Sequence, residues 1–414
     1  MEPCTLPKTR FTKLSEAKGY SQYHFDDIFT FSSGKNIKQN EASPEFETPC
    51  VRYGELYHLY GEVITKTVNK TNLDHSELTF SYGNEILLPS AGEDPLDIGS
   101  ASALTIKDVA IGRTINVLRP KGTIDYSHIY VSFYINGKLK KKISTLARGA
   151  TISNVYNSDL KGLKINLPQI EEQQKIADFL SSVDKKISLL KEKHALLEKY
   201  KKGVMQKLFS QEIRFKDENG NDFPDWQDTK FYKVFERVTQ KNKENNQNVL
   251  TISAQRGLIN QQKYFNKSVS AKNVTGYYLL NKGDFAYNKS YSKGYPMGAI
   301  KRLNNYDKGV VSTLYICFKS YGEQHDAFWE QYFEAGLLNR EISKIAQEGA
   351  RNHGLLNVSV TEFFRDVTVH EPSEKEQVRI ADFLGTLDKK LDLVSQQIEQ
   401  TQTFKKGLLQ QMFV

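Results

Sequence analysis

One stretch occurs twice in this 414-residue chain and constrains everything else. Residues 168–184 read PQIEEQQKIADFLSSVD, and residues 372–388 read PSEKEQVRIADFLGTLD. Ile176-Ala177-Asp178-Phe179-Leu180 returns as Ile380-Ala381-Asp382-Phe383-Leu384, 204 residues on. The same step carries Lys201-Lys202-Gly203 onto Lys405-Lys406-Gly407, Phe209 onto Phe413, and Arg10-Phe11 onto Arg214-Phe215. A repeat at nearly half the chain length demands two structural halves.

Each copy opens a helical pattern. Ile176, Leu180, Val183, Ile187, Leu190, His194, Leu197, Lys201, Val204 and Leu208 step by four and three, as do Ile380, Leu384, Leu387, Leu391, Val394, Ile398, Thr401, Lys405, Leu408 and Met412. That is a coiled-coil seam whose polar interruptions are His194 and Lys201 in one copy and Thr401 and Lys405 in the other. Two helices of roughly 40 residues follow, each about 60 Å long at ~1.5 Å per residue. Such a length suits a spacer. Pro372 and Ser373-x-x-Glu376 have the spacing of a capping box; the first copy has Gln169 at the cap position.

Outside the helices the texture is that of strands. Glu85–Leu88, Ile129–Tyr134, Asn248–Ile252 and Val310–Phe318 are short apolar or alternating runs. Turn signals at Tyr82-Gly83-Asn84, Pro120-Lys121-Gly122 and Asn136-Gly137 separate them, and the last predicts a hairpin whose second strand is the basic Lys138–Lys142. One helix is expected around Asp326–Gln347. The pattern reads as an arm (1–20), a mixed, strand-rich α/β domain (21–167), a helix (168–213), a linker (214–226), a second such domain (227–371) and a second helix (372–414). Outside the helices the halves share little residue identity.

The bulk properties narrow the function class. A net charge of +8 suits a polyanionic partner. The three cysteines are far apart and form no metal or disulfide spacing. No apolar leader and no run of 18 apolar residues is present, so the expected location is the cytoplasm. No phosphate-binding loop, H-x-x-x-H or H-E-x-x-H pattern occurs; no catalytic and no metal-binding residues are assigned.

The duplicated P-x-x-x-E-Q-x-x-I-A-x-F-L-x-x-x-D, each copy following a strand-rich domain, resembles the specificity subunit of type I restriction–modification systems. Pro168, Glu172, Gln173, Ile176, Ala177, Phe179, Leu180 and Asp184 carry the motif once, and Pro372, Glu376, Gln377, Ile380, Ala381, Phe383, Leu384 and Asp388 carry it again. The resemblance implies two target recognition domains, each reading half of a bipartite double-stranded DNA target. It implies that the two helices pack as an antiparallel coiled coil with pseudo-two-fold symmetry and fix the gap between half-sites. Two methyltransferase subunits would dock on the frame, with Glu172, Gln173, Ile176, Phe179, Leu180, Glu376, Gln377, Ile380, Phe383 and Leu384 as frame and docking residues; restriction subunits can join them. S-adenosylmethionine, ATP and magnesium would belong to those partners and none to this chain, which would be non-catalytic. The competing reading is a coiled-coil scaffold with two protein-binding domains and no role on DNA.

Within that frame, residue chemistry nominates DNA contacts, since Arg and Lys suit guanine edges and phosphates, Asn suits adenine, and Ser, Thr and Tyr suit phosphates. In the second domain these are Tyr287, Asn288, Lys289, Ser290, Tyr291 and Lys293, and then Arg351, Asn352 and His353. In the first they are Arg113, Arg148, Thr151 and Asn154. For each, an ordinary solvated loop is the alternative. The lysines of the first long helix read as its wet face.

Overall fold

A computed structural model describes residues 19–265, 273–321, 325–346 and 356–413. The chain divides into two compact units: one takes the chain up to Glu192 together with Ser395 onward, the other Lys193–Val394. The two long helices run Ile170–Phe209 and Glu374–Met412, 40 and 39 residues. Every position of both predicted seams is buried or half-buried.

In the first unit, strand β1 (Ser21–His24) leads into a single helical turn, α1 (Phe25–Ile28), and then β2 (Phe29–Ser33). β3 (Glu85–Pro89), β4 (Ser102–Leu104) and β5 (Ile115–Pro120) complete a sheet ordered β2-β5-β3-β4, extended by the short strand Val63–Ile64. Helices α2 (His128–Tyr134) and α3 (Lys140–Leu146) follow. β6 (Lys164–Leu167) then returns antiparallel to β1, Ser21 opposite Leu167, immediately before the long helix.

The second unit repeats this plan: β7 (Gln227–Lys230), α4 (Phe231–Val234), β8 (Phe235–Arg237), β9 (Phe285–Asn288), β10 (Ala299–Arg302), β11 (Ile316–Ser320), α5 (Asp326–Glu334), α6 (Asn339–Ile345), α7 (Val360–Asp366) and β12 (Thr368–Glu371). Its sheet is ordered β8-β11-β9-β10, the same succession, and β7 pairs antiparallel with β12 as β1 does with β6. Sequence does mark the equivalence, weakly. Phe25-x-x-Ile28-Phe29 recurs as Phe231-x-x-Val234-Phe235, all buried, but 206 rather than 204 residues on.

Each core takes the start of one long helix and the end of the other. Ile176, Leu180 and Val183 share the first core with Leu408, Met412 and Phe413; Leu208 and Phe209 share the second with Ile380, Leu384 and Leu387. Within each unit the helices therefore run antiparallel. The seam lysines give the register. Lys405 Nζ lies 2.7 Å from Asp184 Oδ1 and 2.6 Å from Glu62 Oε2 in the first unit. Lys201 Nζ lies 2.6 Å from Asp388 Oδ1 in the second, where Gln331 also donates to Asp388. These are the same pair under the 204-residue repeat. A lysine at a seam position costs packing but selects one register when a carboxylate meets it.

Four sequence expectations give way. Residues 128–146 are helix, not a hairpin: α2 and α3 are joined by a widened turn, Ile135–Leu139. Asn136 there makes no β-turn; its amide bonds Ala101 O and Ser132 O. The run 310–318 is two strands, Lys308–Val311 and β11, separated at 312–315. The helix expected around Asp326–Gln347 is broken where Gly336 adopts φ +74°, a conformation few other residues tolerate. The capping box is not made: Ser373 Oγ is buried without a hydrogen-bond partner, and Glu376 turns elsewhere.

Candidate nucleic-acid interface

The motif residues come first, because they hold the domains on the helices. Gln173 Oε1 accepts from Ser127 N (3.0 Å), the cap of α2, while its Nε2 donates to Pro168 O. Gln377 Oε1 accepts from His325 N (3.3 Å), the cap of α5, and its Nε2 donates to Pro372 O. Glu376 accepts from Arg214 Nε and Nη2 (3.1 and 2.8 Å) and from Trp226 Nε1 (3.0 Å), anchoring both ends of the linker 214–226 to the second long helix. Phe413 packs on Tyr130 and Tyr134, and Phe209 on Phe328 and Tyr332. Glu172, Gln173, Ile176, Leu180, Glu376, Gln377, Ile380 and Leu384 are thus buried inside their own units, with Phe179 and Phe383 half-buried. They build the frame of each unit.

What the helices do present outward is apolar at repeat positions. Leu189 and Tyr200 are 55% and 53% exposed, and Leu393 and Phe404, each 204 residues later, 58% and 54%.

Base-reading candidates gather at one rim of each sheet. In the first unit Ser33 of β2 faces Asn116, and Pro89 of β3 faces Ile115, so β2 and β3 end where β5 begins. The connecting segments interlock there: Arg113 N donates to Asn36 O, Ser90 N to Thr114 O, and Val155 N to Ser90 O. Arg148 and Asn154 exchange backbone hydrogen bonds that close an exposed loop. Arg113, Arg148 and Thr151 are exposed, Asn154 is half-buried, and Arg148 Nη2 holds Asp159 at 2.9 Å. Lys35, Ile152 and Tyr156 stand exposed on the same segments; sequence reading missed them because the rim is assembled from three distant stretches.

In the second unit the equivalent rim is the end of β8 at Arg237, the end of β9 at Asn288 and the start of β11. Asn288, Lys289 and Ser290 are half-buried there, while Tyr291 and Lys293 are exposed. Tyr287 is not available: it is fully buried, its hydroxyl donates to Met297 O (2.7 Å), and its ring stacks on Phe363. Strand alternation explains this, since adjacent residues point to opposite faces. Arg351, Asn352 and His353 lie outside the described residues; the chain resumes with Leu356 N donating to Lys289 O. Arg237, missed in the sequence, lines a shallow cavity of about 370 Å³ with Tyr232, Val360, Thr361, Phe364 and Arg365. Two guanidiniums among aromatic rings suit a phosphate and its neighbouring base. Among the described residues no three His, Cys, Asp or Glu side chains converge as a metal site, and no helix is long and apolar enough to cross a membrane.

Residues 18–199 match the family model described as the type I restriction modification DNA specificity domain. A putative type I restriction enzyme MjaX specificity subunit of Methanocaldococcus jannaschii is 37% identical over 84 residues, 20% of this chain and 20% of that protein. The type I restriction enzyme MjaVIII specificity subunit of the same organism is 35% identical over 109 residues, 24% and 26%. The matched stretches thus span about a fifth to a quarter of the length of these relatives. Among solved structures, the S subunit of a type I restriction–modification system from M. genitalium has a TM-score of 0.61 at 17% identity, covering 99% of both chains. A chain from a structure of complex assembly and conformational transition in the type I R-M system has a TM-score of 0.54 at 12% identity, covering 99% of both. At such identities the likeness is one of fold.

Proposed function

We propose that the chain, whose residues 18–199 match the type I restriction modification DNA specificity domain, is a specificity subunit that reads a bipartite DNA target, one half with each unit. The observation that carries this is the doubled sheet rim. The main sheets of the two units share one strand order, yet the residues at the equivalent rims differ: Lys35, Arg113, Arg148 and Thr151 in one, Arg237, Asn288, Tyr291 and Lys293 in the other. Lysines and arginines there supply salt-dependent attraction to phosphates, and the shorter polar side chains read base edges. The continuous helices hold the half-site separation constant.

The frame recruits two copies of one methyltransferase subunit. Leu189 and Leu393, and likewise Phe404 and Tyr200, are equivalent exposed apolar residues, one of each in each unit, which suits two identical partners. S-adenosylmethionine belongs to those subunits, and ATP and magnesium to any restriction subunits that join. The target adenine is turned out of the stack into the partner's site. The test is to purify the chain with a methyltransferase subunit encoded beside it and measure methylation and binding on random duplexes at two salt concentrations. The reading requires salt-sensitive binding and methylation of one bipartite sequence; a complex without DNA affinity would instead make the chain a protein scaffold.

A further inference from the structure

The loop between β9 and β10, residues 289–298, is closed by the Asn288–Ala299 pair and braced along both legs. On the near leg, Ser290 N donates to Asn288 Oδ1, and Lys289 O accepts from Leu356 N at 2.9 Å. On the far leg, Tyr287 OH donates to Met297 O, and Gly298 passes so close that a β-carbon there would lie 2.3 Å from Asn288 O. Between these braces, Tyr295 reaches inward. Its hydroxyl meets the Glu334 carboxylate on α5, Lys301 Nζ on β10 donates to that hydroxyl at 3.0 Å, and Lys301 closes the triangle on Glu334. The ammonium also sits 4.6 Å from the centre of the Tyr295 ring. The backbone of Tyr295 pairs with Ser292, so the triangle fixes the tip on which Tyr291 and Lys293 are exposed. Burial and Glu334 push the Tyr295 phenol well above its usual range, so it stays a hydrogen-bond donor at any physiological pH.

We propose that Tyr295, Glu334 and Lys301 form a positioning clamp that presets the loop carrying Tyr291 and Lys293 for the second unit's half-site. The proposal rests on the DNA-reading function above and adds the residues that make one reader rigid. A preformed loop loses less entropy on binding and tolerates fewer wrong bases than one ordered by the DNA. None of the three clamp residues need touch DNA.

The experiment uses the chain assembled with its methyltransferase subunits and compares wild type, Tyr295→Phe and Tyr291→Ala. Phenylalanine keeps the ring against Lys301 and removes only the hydroxyl. Binding is measured on the cognate duplex, on duplexes changed by one base pair in the half-site read by the second unit, and on duplexes changed in the other half-site. The expected result for Tyr295→Phe is a loss of about tenfold in discrimination at the second unit's half-site, none at the other, and an unchanged urea midpoint. Tyr291→Ala loses affinity for the same half-site. If Tyr295→Phe discriminates like wild type while Tyr291→Ala weakens binding, the clamp is overturned and the DNA-reading function stands. If wild type shows no sequence preference, both fall.

Discussion

Replacing each seam lysine by methionine tests whether the repeated ion pairs set the helix register. Lys405 faces two carboxylates, Glu62 and Asp184, whose side chains are 17% and 32% exposed. Among the described residues Lys201 has one carboxylate partner, Asp388, 39% exposed and also held by Gln331. Exposed pairs contribute about 0–1 kcal/mol, whereas removing one partner of a fully buried pair costs ~3–5 kcal/mol. These pairs lie between the limits. Lys405→Met strands two carboxylates, in a site where burial already raises the Asp184 pKa, and should cost ~2–3 kcal/mol. Lys201→Met should cost ~1–2 kcal/mol. Both tryptophans, Trp226 and Trp329, lie in the second unit, so their fluorescence follows the Lys201 site directly. With a urea slope of ~3 kcal/mol/M, Lys201→Met lowers that midpoint by roughly 0.5 M. Lys199, exposed on the same helix, is the control. Exchanging the charges, Lys201→Asp with Asp388→Lys, should return more than half of the loss. A Lys201→Met midpoint equal to that of Lys199→Met would refute the register argument.

Three further outcomes follow from named contacts. Glu376→Gln disturbs a buried carboxylate bonded to Arg214 and Trp226 and should cost ~2–3 kcal/mol with a shifted Trp emission, whereas Ser373→Ala, whose hydroxyl is unpartnered, should change stability by less than ~0.5 kcal/mol. Burial raises the Asp284 carboxyl from 3.8 to about 6, so the folded state holds a proton that the unfolded chain has released between those values. Its contribution is therefore favourable at low pH and lost as pH rises toward about 6, and the stability of wild type relative to Asp284→Asn should fall by up to ~3 kcal/mol across that window and stay flat above it. Leu189→Asp and Leu393→Asp, made singly and together, should leave the urea midpoint unchanged but reduce the methyltransferase copies bound, measured by light scattering; two copies retained by the double variant would remove the proposed docking face.

The helices were legible because periodicity over ten turns outweighs any local accident, and because duplication doubled the signal. The common plan of the two domains was nearly invisible: Phe25-x-x-Ile28-Phe29 and Phe231-x-x-Val234-Phe235 sit two residues out of phase with the helix repeat. Residues 128–146 were misread because Ile129-Tyr130-Val131-Ser132-Phe133-Tyr134 has strand propensity, and burial in the core settled the conformation instead. Ser127, which caps α2 through Tyr130 N, was the overlooked signal. The rims were legible only as isolated basic or polar loops. Their assembly depends on strand register, which brings Ser33, Pro89 and Ile115 together and cannot be read from local sequence.

The central claim is that each unit reads its own half of one target at a separation held by the helices. Its most direct test exchanges residues 227–371 for the corresponding domain of another specificity subunit and sequences methylated adenines in cells carrying the original and the exchanged chain. The account predicts a bipartite motif in which the exchange changes one half and leaves the other half and the gap intact. Alteration of both halves, or methylation at a single undivided sequence, would contradict it.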